Sequence, residues 1–302
     1  MVPDTVIADA VKILRAGGLV AVPTETVYGL GADALNPLAI RQIYATKGRP
    51  SGHPLIVHLA ANTDWEQWGL FSDSAMALAN EFWPGPLTMI VRRQPQVPTE
   101  VTGGLDTIGI RVPQHPIAQR LLSSFGSGIA APSANRFGGV SPTTAHHVQA
   151  EFGDTIHIMD GGPSHIGIES TIVDLSGTSP ALLRPGSITE AQIEAVVGPL
   201  GHSNTPAPGT LASHYSPQTS LLLSDNPNQD ANRLESQGLS VAILHASAPE
   251  NHARTLYAEL RRLDQLGVDI LVAERSPDQE LGRAINDRLT RAGHGFSIDK
   301  KP

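Results

Sequence analysis

Residues 198–220, GPLGHSNTPAPGTLASHYSPQTS, hold four prolines and three glycines and almost no apolar periodicity. A stretch of this length with neither a helical nor a strand repeat has no face to bury, so it reads as a linker or a long ordered loop. It divides the chain in two. A length of 302 residues points the same way, being more than one core usually organises.

On the N-terminal side, short apolar runs alternate with helical patterns. NPLAIRQIYATKG has Asn36 as N-cap, Pro37 at the first helical position and Gly48 as its stop, with Ile40, Ile43 and Tyr44 on one face. SDSAMALANEF is capped by Ser72, PIAQRLLSSFG is helical, and SPTTAHHVQAEFG starts from Ser141 with Pro142 behind it. GLVAVP, PLIVHL, LTMIVRR, TIGIRVP, GIAAPSAN, IHIMDGG, STIVDLS and ALLRPG read as strands. The expectation is an α/β lobe with a twisted mixed sheet and flanking helices. Beyond the interruption, SLLLSD, SVAILHA and VDILVAE are wholly apolar short runs separated by helices such as ARTLYAELRRLDQLG, the pattern of a small Rossmann-like parallel α/β domain. The predicted division is 1–198, a linker or lid at 199–219, and 220–302.

The chain has no cysteine, which excludes disulfides, thiolate catalysis and cysteine-based zinc sites and fits a reducing, cytoplasmic setting. No basic head followed by an apolar stretch opens the chain, and no window approaches the ~18 apolar residues of a membrane span. A net charge of -8 disfavours a chain-wide nucleic-acid surface. Adjacent His146 and His147 would point about 100° apart on a helix, a poor metal pair. The Walker loop, the dinucleotide fingerprint, H-E-x-x-H and G-x-S-x-G are all missing from the sequence.

Four loops carry chemistry. PTETVYGLGADA clusters Thr24, Glu25, Thr26 and Tyr28 just after a buried strand, and Gly29 and Gly31 permit close backbone approach; a strand-to-helix turn with capping hydroxyls would look the same. KGRPSGHPLIVHLA places Lys47 and Arg49 at a helix end, in a chain whose other lysines are Lys12, Lys300 and Lys301. They either complement the helix dipole or face phosphates, the guanidinium as a planar fork and the ammonium as a point charge. In DTIGIRVPQHP, Arg111 interrupts an apolar strand, so it needs an internal carboxylate or a ligand anion. APSANRFGGVSPT, GIESTIVD and LLRPG add hydroxyls and Arg184, with Ser141 at a helix start as an anion site. Without a catalytic carboxylate pair or a metal cluster, the set suggests a binding site for an anionic ligand.

In this order, PTETVYGLGADA, KGRPSGHPLIVH, WPGPLT, GIRVPQHP, APSAN, ESTIVD and LLRPG resemble the YrdC-type L-threonylcarbamoyladenylate synthases over about residues 6–197, and HYSP with the α/β tail resembles that family's two-domain form. The resemblance implies a YrdC-like fold and a nucleotidyltransferase that makes threonylcarbamoyl-AMP from L-threonine, bicarbonate or carbon dioxide, and ATP, with release of pyrophosphate. The product serves threonylcarbamoyl modification of transfer RNA by a separate transferase, without direct transfer-RNA binding. It also implies that Thr26, His58, Arg111, Ala131 and Ser170 line a threonine pocket, with Arg111 meeting the amino-acid carboxylate. Arg49, His53, Thr107, Ser133, Ser141, Arg184 and Tyr215 would contact the nucleotide, Lys47 would face its phosphates, and Asn135 would orient the PSAN loop. Lys47 and Arg49 would be the catalytic charges, with magnesium held by the triphosphate rather than by the protein. His53 stands where relatives carry asparagine, and Leu211-Ala212-Ser213 replaces basic residues before His214 and Tyr215. The competing readings are an RNA-binding module, which 4% aromatic residues and the acidic balance oppose, and a carbamoyl-transfer enzyme, whose zinc-finger segment a chain without cysteine lacks.

Overall fold

In the computed structural model, residues 3–294 are described; Lys300, Lys301 and the end of the expected 220–302 domain lie outside them. Strands β1 (Val20–Val22), β2 (Gly29–Asp33), β3 (Ile56–His58), β4 (Gly69–Leu70), β5 (Leu87–Arg93), β6 (Thr107–Arg111), β7 (Ile129–Ala130), β8 (His157–Ile158), β9 (Thr171–Asp174) and β10 (Ala181–Arg184) form one mixed sheet. Its order is β10-β9-β5-β6-β3-β7-β2-β1-β8, with β4 added on β5. A second sheet joins β11 (Ser220–Ser224), β13 (Ile270–Glu274) and β12 (Val241–Leu244) in that order, all parallel.

The helices around the large sheet are α1 (Asp4–Arg15), α2 (Pro37–Lys47), α3 (Asp73–Phe82), α4 (Thr99–Thr102), α5 (Pro116–Phe125), α6 (Ala145–Phe152) and α7 (Glu190–Val197). The small sheet carries α8 (Pro227–Ser236), α9 (Pro249–Asp264) and α10 (Leu281–Ala292). Local signals act where the sequence places them. The Asn36 side chain accepts from the backbone of Leu38 and Ala39, Pro37 opens α2, and Gly48 ends it in the left-handed region. Helix α2 then buries Ala39, Ile40, Ile43 and Tyr44 against the sheet, and Lys47 with them.

Two expectations are corrected. Helix α6 starts at Ala145 with Thr144 as its cap, because the Thr144 hydroxyl, not that of Ser141, accepts from the third backbone N–H. The PTETVYG segment joins two antiparallel strands rather than a strand and a helix. Gly31 lies inside β2 because a Cβ there would meet the Ile129 side chain and the Val20 carbonyl.

The two sheets share packing. Val27, Val140 and Ile168 of the large lobe enter one buried cluster with Leu256, Tyr257, Leu260, Ile285 and Leu289 of the small domain. Tyr215 of the linker lies in that cluster too. Among the described residues no helix is long and apolar enough to cross a membrane.

Candidate active site

The loops at β1, β3, β6, β7, β9 and β10 line a cavity, and linker residues cover it. All five residues of the expected threonine set line it: Thr26, His58, Arg111, Ala131 and Ser170. Of the nucleotide set, Arg49, Ser133, Arg184 and Tyr215 line it as well. His53 lines an adjoining recess that shares Arg49, Gly209 and His214 with the main cavity, and its ring meets Phe137 edge-on at 5.5 Å. Thr107 is not brought in. It begins β6, opposite Arg92, at the other end of the strand from Arg111.

Arg111 corrects the expectation that its counter-charge is a ligand. Its Nη2 donates to Glu25 Oε1 at 2.5 Å, its Nη1 to Thr26 Oγ1 at 2.8 Å and its Nε to the Gly85 carbonyl at 3.1 Å. Both partners of the ion pair are buried. Burial would raise the Glu25 carboxyl, but the charge and hydrogen bond of Arg111 outweigh it and hold it below the ordinary carboxylate range. A guanidinium has five N–H donors, so Arg111 is neutralised and oriented internally and still has donors for a ligand.

Lys47 is corrected too. It is buried, and its ammonium donates to the carbonyls of Ser133 and Asn135, each at 2.5 Å. It sits behind the PSAN loop and is not part of the cavity wall, because the loop carbonyls turn inward onto it. Burial and the nearby Arg49 charge push its pKa well below the usual lysine value. The same loop is braced by Asn135, whose side-chain amide donates to the carbonyls of Arg136 and Gly139. Asn135 therefore orients the loop without entering the cavity.

Ser141 does not form an anion site. Its hydroxyl donates to Glu169 Oε1 at 2.6 Å. Glu169 lines the cavity, and sequence reasoning passed over it although it opens the ESTIVD motif. Burial would raise its carboxyl; Arg288, Arg184 and the hydroxyls of Ser141 and Tyr257 outweigh that and keep it ionised. With both oxygens engaged it is not a free metal ligand, and no group of acidic or histidine side chains among the described residues could hold a metal.

The other cations face inward. Burial lowers Arg49 to about 10, and its Nη2 donates to the Pro54 carbonyl while its Nε has no partner. Arg184 donates to the carbonyl and hydroxyl of Ser170 and to the Pro208 carbonyl of the linker. Burial, reinforced by Arg111, takes His58 to about 3, so its imidazole is neutral at physiological pH.

Linker residues Pro208, Gly209, His214 and Tyr215 complete the wall. Tyr215 is 1% exposed, has φ 63°, and its hydroxyl has no partner. Buried polar atoms are almost always paired, so unmatched atoms of Arg49 and Tyr215 in one cavity mark places for a ligand. Arg291 of α10 donates to the Thr210 and Leu211 carbonyls and so ties the linker to the tail domain.

Comparison with known proteins decides the family. Residues 12–186 match the Sua5/YciO/YrdC family model, described as telomere recombination, and residues 188–293 match the threonylcarbamoyl-AMP synthase C-terminal domain. This chain belongs to the threonylcarbamoyl-AMP synthase family. Threonylcarbamoyl-AMP synthase of Pyrococcus abyssi is 39% identical, the alignment covering 96% of this chain and 94% of the relative. The Bacillus subtilis enzyme of the same name is 40% identical, with 98% and 95% covered. The crystal structure of P. abyssi Sua5 complexed with L-threonine superposes with a TM-score of 0.92 at 37% identity, covering 97% of this chain and 95% of the other. The alignments to these two relatives run through the linker and the small domain.

Proposed function

We propose that the cavity joins L-threonine, a carbon dioxide unit from bicarbonate, and ATP, delivered as its magnesium complex, into threonylcarbamoyl-AMP and pyrophosphate. The observation that carries this reading is the convergence of three buried guanidiniums, Arg49, Arg111 and Arg184, on one cavity where Glu169 is the carboxylate of the wall. Such a wall selects an anionic ligand, and the full-length relationship to threonylcarbamoyl-AMP synthases names the anions.

Arg111, held by Glu25 and Gly85, offers its remaining donors to the threonine carboxylate. The hydroxyls of Thr26 and Ser170 match the polar groups of the amino acid. An analogue without the threonine hydroxyl leaves buried groups unpaired and is rejected strongly, whereas serine, lacking a methyl, loses only about 1–3 kcal/mol. The deprotonated amine adds to carbon dioxide to form a carbamate. A carbamate oxygen then attacks the α-phosphorus, and the bond to the pyrophosphate oxygen breaks. No protein nucleophile takes part. Arg49 and Arg184 stabilise the charge that develops on the phosphates, and the closed linker keeps water out. Neutral His58 can accept a hydrogen bond from that amine; of the two protons the amine gives up, one is taken by bicarbonate as it dehydrates to carbon dioxide and the other passes to solvent. Lys47 acts behind the wall, fixing the Ser133 and Asn135 carbonyls and with them the loop that carries Ala131 and Ser133.

The reaction is placed in the cytoplasm, and its labile product passes to a separate threonylcarbamoyl transferase. The test is pyrophosphate release from ATP with and without L-threonine and bicarbonate. Release that needs both is expected. Release indifferent to threonine would overturn the assignment.

A further inference from the structure

The small domain reaches the cavity wall at the Glu169 carboxylate. Glu169 Oε1 accepts from Ser141 of the large lobe, while Glu169 Oε2 accepts from the Tyr257 hydroxyl at 2.7 Å and from Arg288 Nε at 3.2 Å. Tyr257 lies on α9 and Arg288 on α10, and both are buried. Arg288 also reaches the backbone on either side of the cavity residues. Its Nη2 donates to the Glu169 carbonyl at 3.3 Å, just before Ser170, and its Nη1 to the Pro185 carbonyl at 2.8 Å, just after Arg184. Its guanidinium lies 5.5 Å from the Tyr215 ring, which stacks on Tyr257 at 5.8 Å.

A serine hydroxyl has one proton, and Ser141 gives it to Glu169. Ser141 is fully buried and is not part of the cavity lining, so that bond serves to anchor Glu169, which does line it. Tyr257 and Arg288 anchor the other oxygen, so the carboxylate is kept from turning onto Arg184 in the same wall. Released, it would compete with nucleotide phosphates for that guanidinium. We infer that Tyr257 and Arg288 are positioning residues of the synthase site: from the small domain they hold Glu169 off Arg184 and leave that cation to the nucleotide, and Arg288 also staples the backbone that carries Ser170 and Arg184. The inference rests on the function proposed above and deepens it, giving the motif-poor domain a defined part in nucleotide binding.

The test is a double-mutant cycle in the full chain, read by threonine- and bicarbonate-dependent pyrophosphate release with ATP varied, alongside L-threonine binding by calorimetry. Tyr257→Phe removes one hydroxyl and keeps the ring. It should raise the KM for ATP about 5- to 10-fold and leave L-threonine affinity within about twofold. Ser141→Ala should do the same, and Tyr257→Phe added to Ser141→Ala should change the KM for ATP less than about twofold further. Arg288→Lys keeps the charge but not the reach to both carbonyls, so it should weaken ATP and threonine together; it serves as the second arm if Tyr257→Phe folds poorly. A normal KM for ATP in both Tyr257→Phe and Arg288→Lys, or a full Tyr257→Phe effect repeated on top of Ser141→Ala, overturns the inference while the synthase reading stands. A wild-type chain that releases no threonine-dependent pyrophosphate overturns the reading itself, and this inference with it.

Discussion

One buried Arg–Glu pair lies within the large lobe and another bridges the two lobes, and the pairs behave differently. Arg111–Glu25 lies wholly inside the large lobe, and Arg111 lines the cavity directly. Arg288–Glu169 crosses between lobes and faces it from behind. The first pair sits in loops dense with motifs; half of the second comes from a helix with none. Motif density therefore measures where a ligand is touched, not which residues hold the touching groups in place. Both pairs are costly to break, since removing one partner leaves a charge buried and uncompensated.

The largest expected effect tests the first pair. Arg111→Ala should lower stability by about 3–5 kcal/mol in urea unfolding and abolish threonine binding in calorimetry. If Arg111→Ala, Glu25→Gln together restored stability but not binding, the contrast between holding and touching would be located in this one side chain.

The next effect is pH dependence. His58 and His214 titrate in the fold at about 3, burial being the main cause, against about 6.5 unfolded. The unfolded chain thus takes up more protons between those values, and stability falls as pH drops from about 6.5 toward 3, by roughly 1.4 kcal/mol per unit for each histidine. Unfolding free energies measured from pH 7 to 4 should show that slope, and His214→Gln should reduce it by about one proton. An unchanged slope would mean that the linker histidine is not held buried over the cavity.

Lys47→Met comes third. It keeps the bulk but strands two buried carbonyls, a cost of about 1–3 kcal/mol for each unmet group. Because Lys47 braces the loop rather than touching phosphates, stability and turnover should fall together. Turnover lost at full stability would return Lys47 to the phosphate-facing role that the sequence suggests.

The smallest effect probes the linker. Gly209 has φ 77°, and a Cβ there would strike the Tyr215 hydroxyl and the Arg184 guanidinium. Gly209→Ala should disfavour closure and raise the KM for ATP a few-fold, with the unfolding midpoint nearly unchanged because Gly209 itself belongs to neither core. A normal KM would show that closure over this cavity does not contribute to nucleotide binding.

Much of the architecture was legible because it depends on short-range rules. Helix α2 needed only the Asn36 cap, Pro37 and Gly48, and the parallel tail sheet needed only three apolar runs spaced by helices. The cavity loops were legible as a set of motifs. The partners inside it were not. That Arg111 must have a counter-charge followed from its place in an apolar strand, but the choice between Glu25 and a ligand depends on how β1 and β6 are brought together across more than eighty residues. Likewise, Lys47 and Arg49 read as equals at one helix end, while the PSAN loop folding over one and not the other gives them different work.

The order of polar and apolar residues along the chain determined the elements, the break at 198–220 and the family, since these depend on periodicity, capping and motif order. Tertiary structure alone decided that Ser141 gives its proton to Glu169, that Thr107 stands apart, and that Tyr257 and Arg288 reach across to the cavity. Those outcomes turn on distances of about 3 Å between residues far apart in the chain, and no local rule of the backbone sets them.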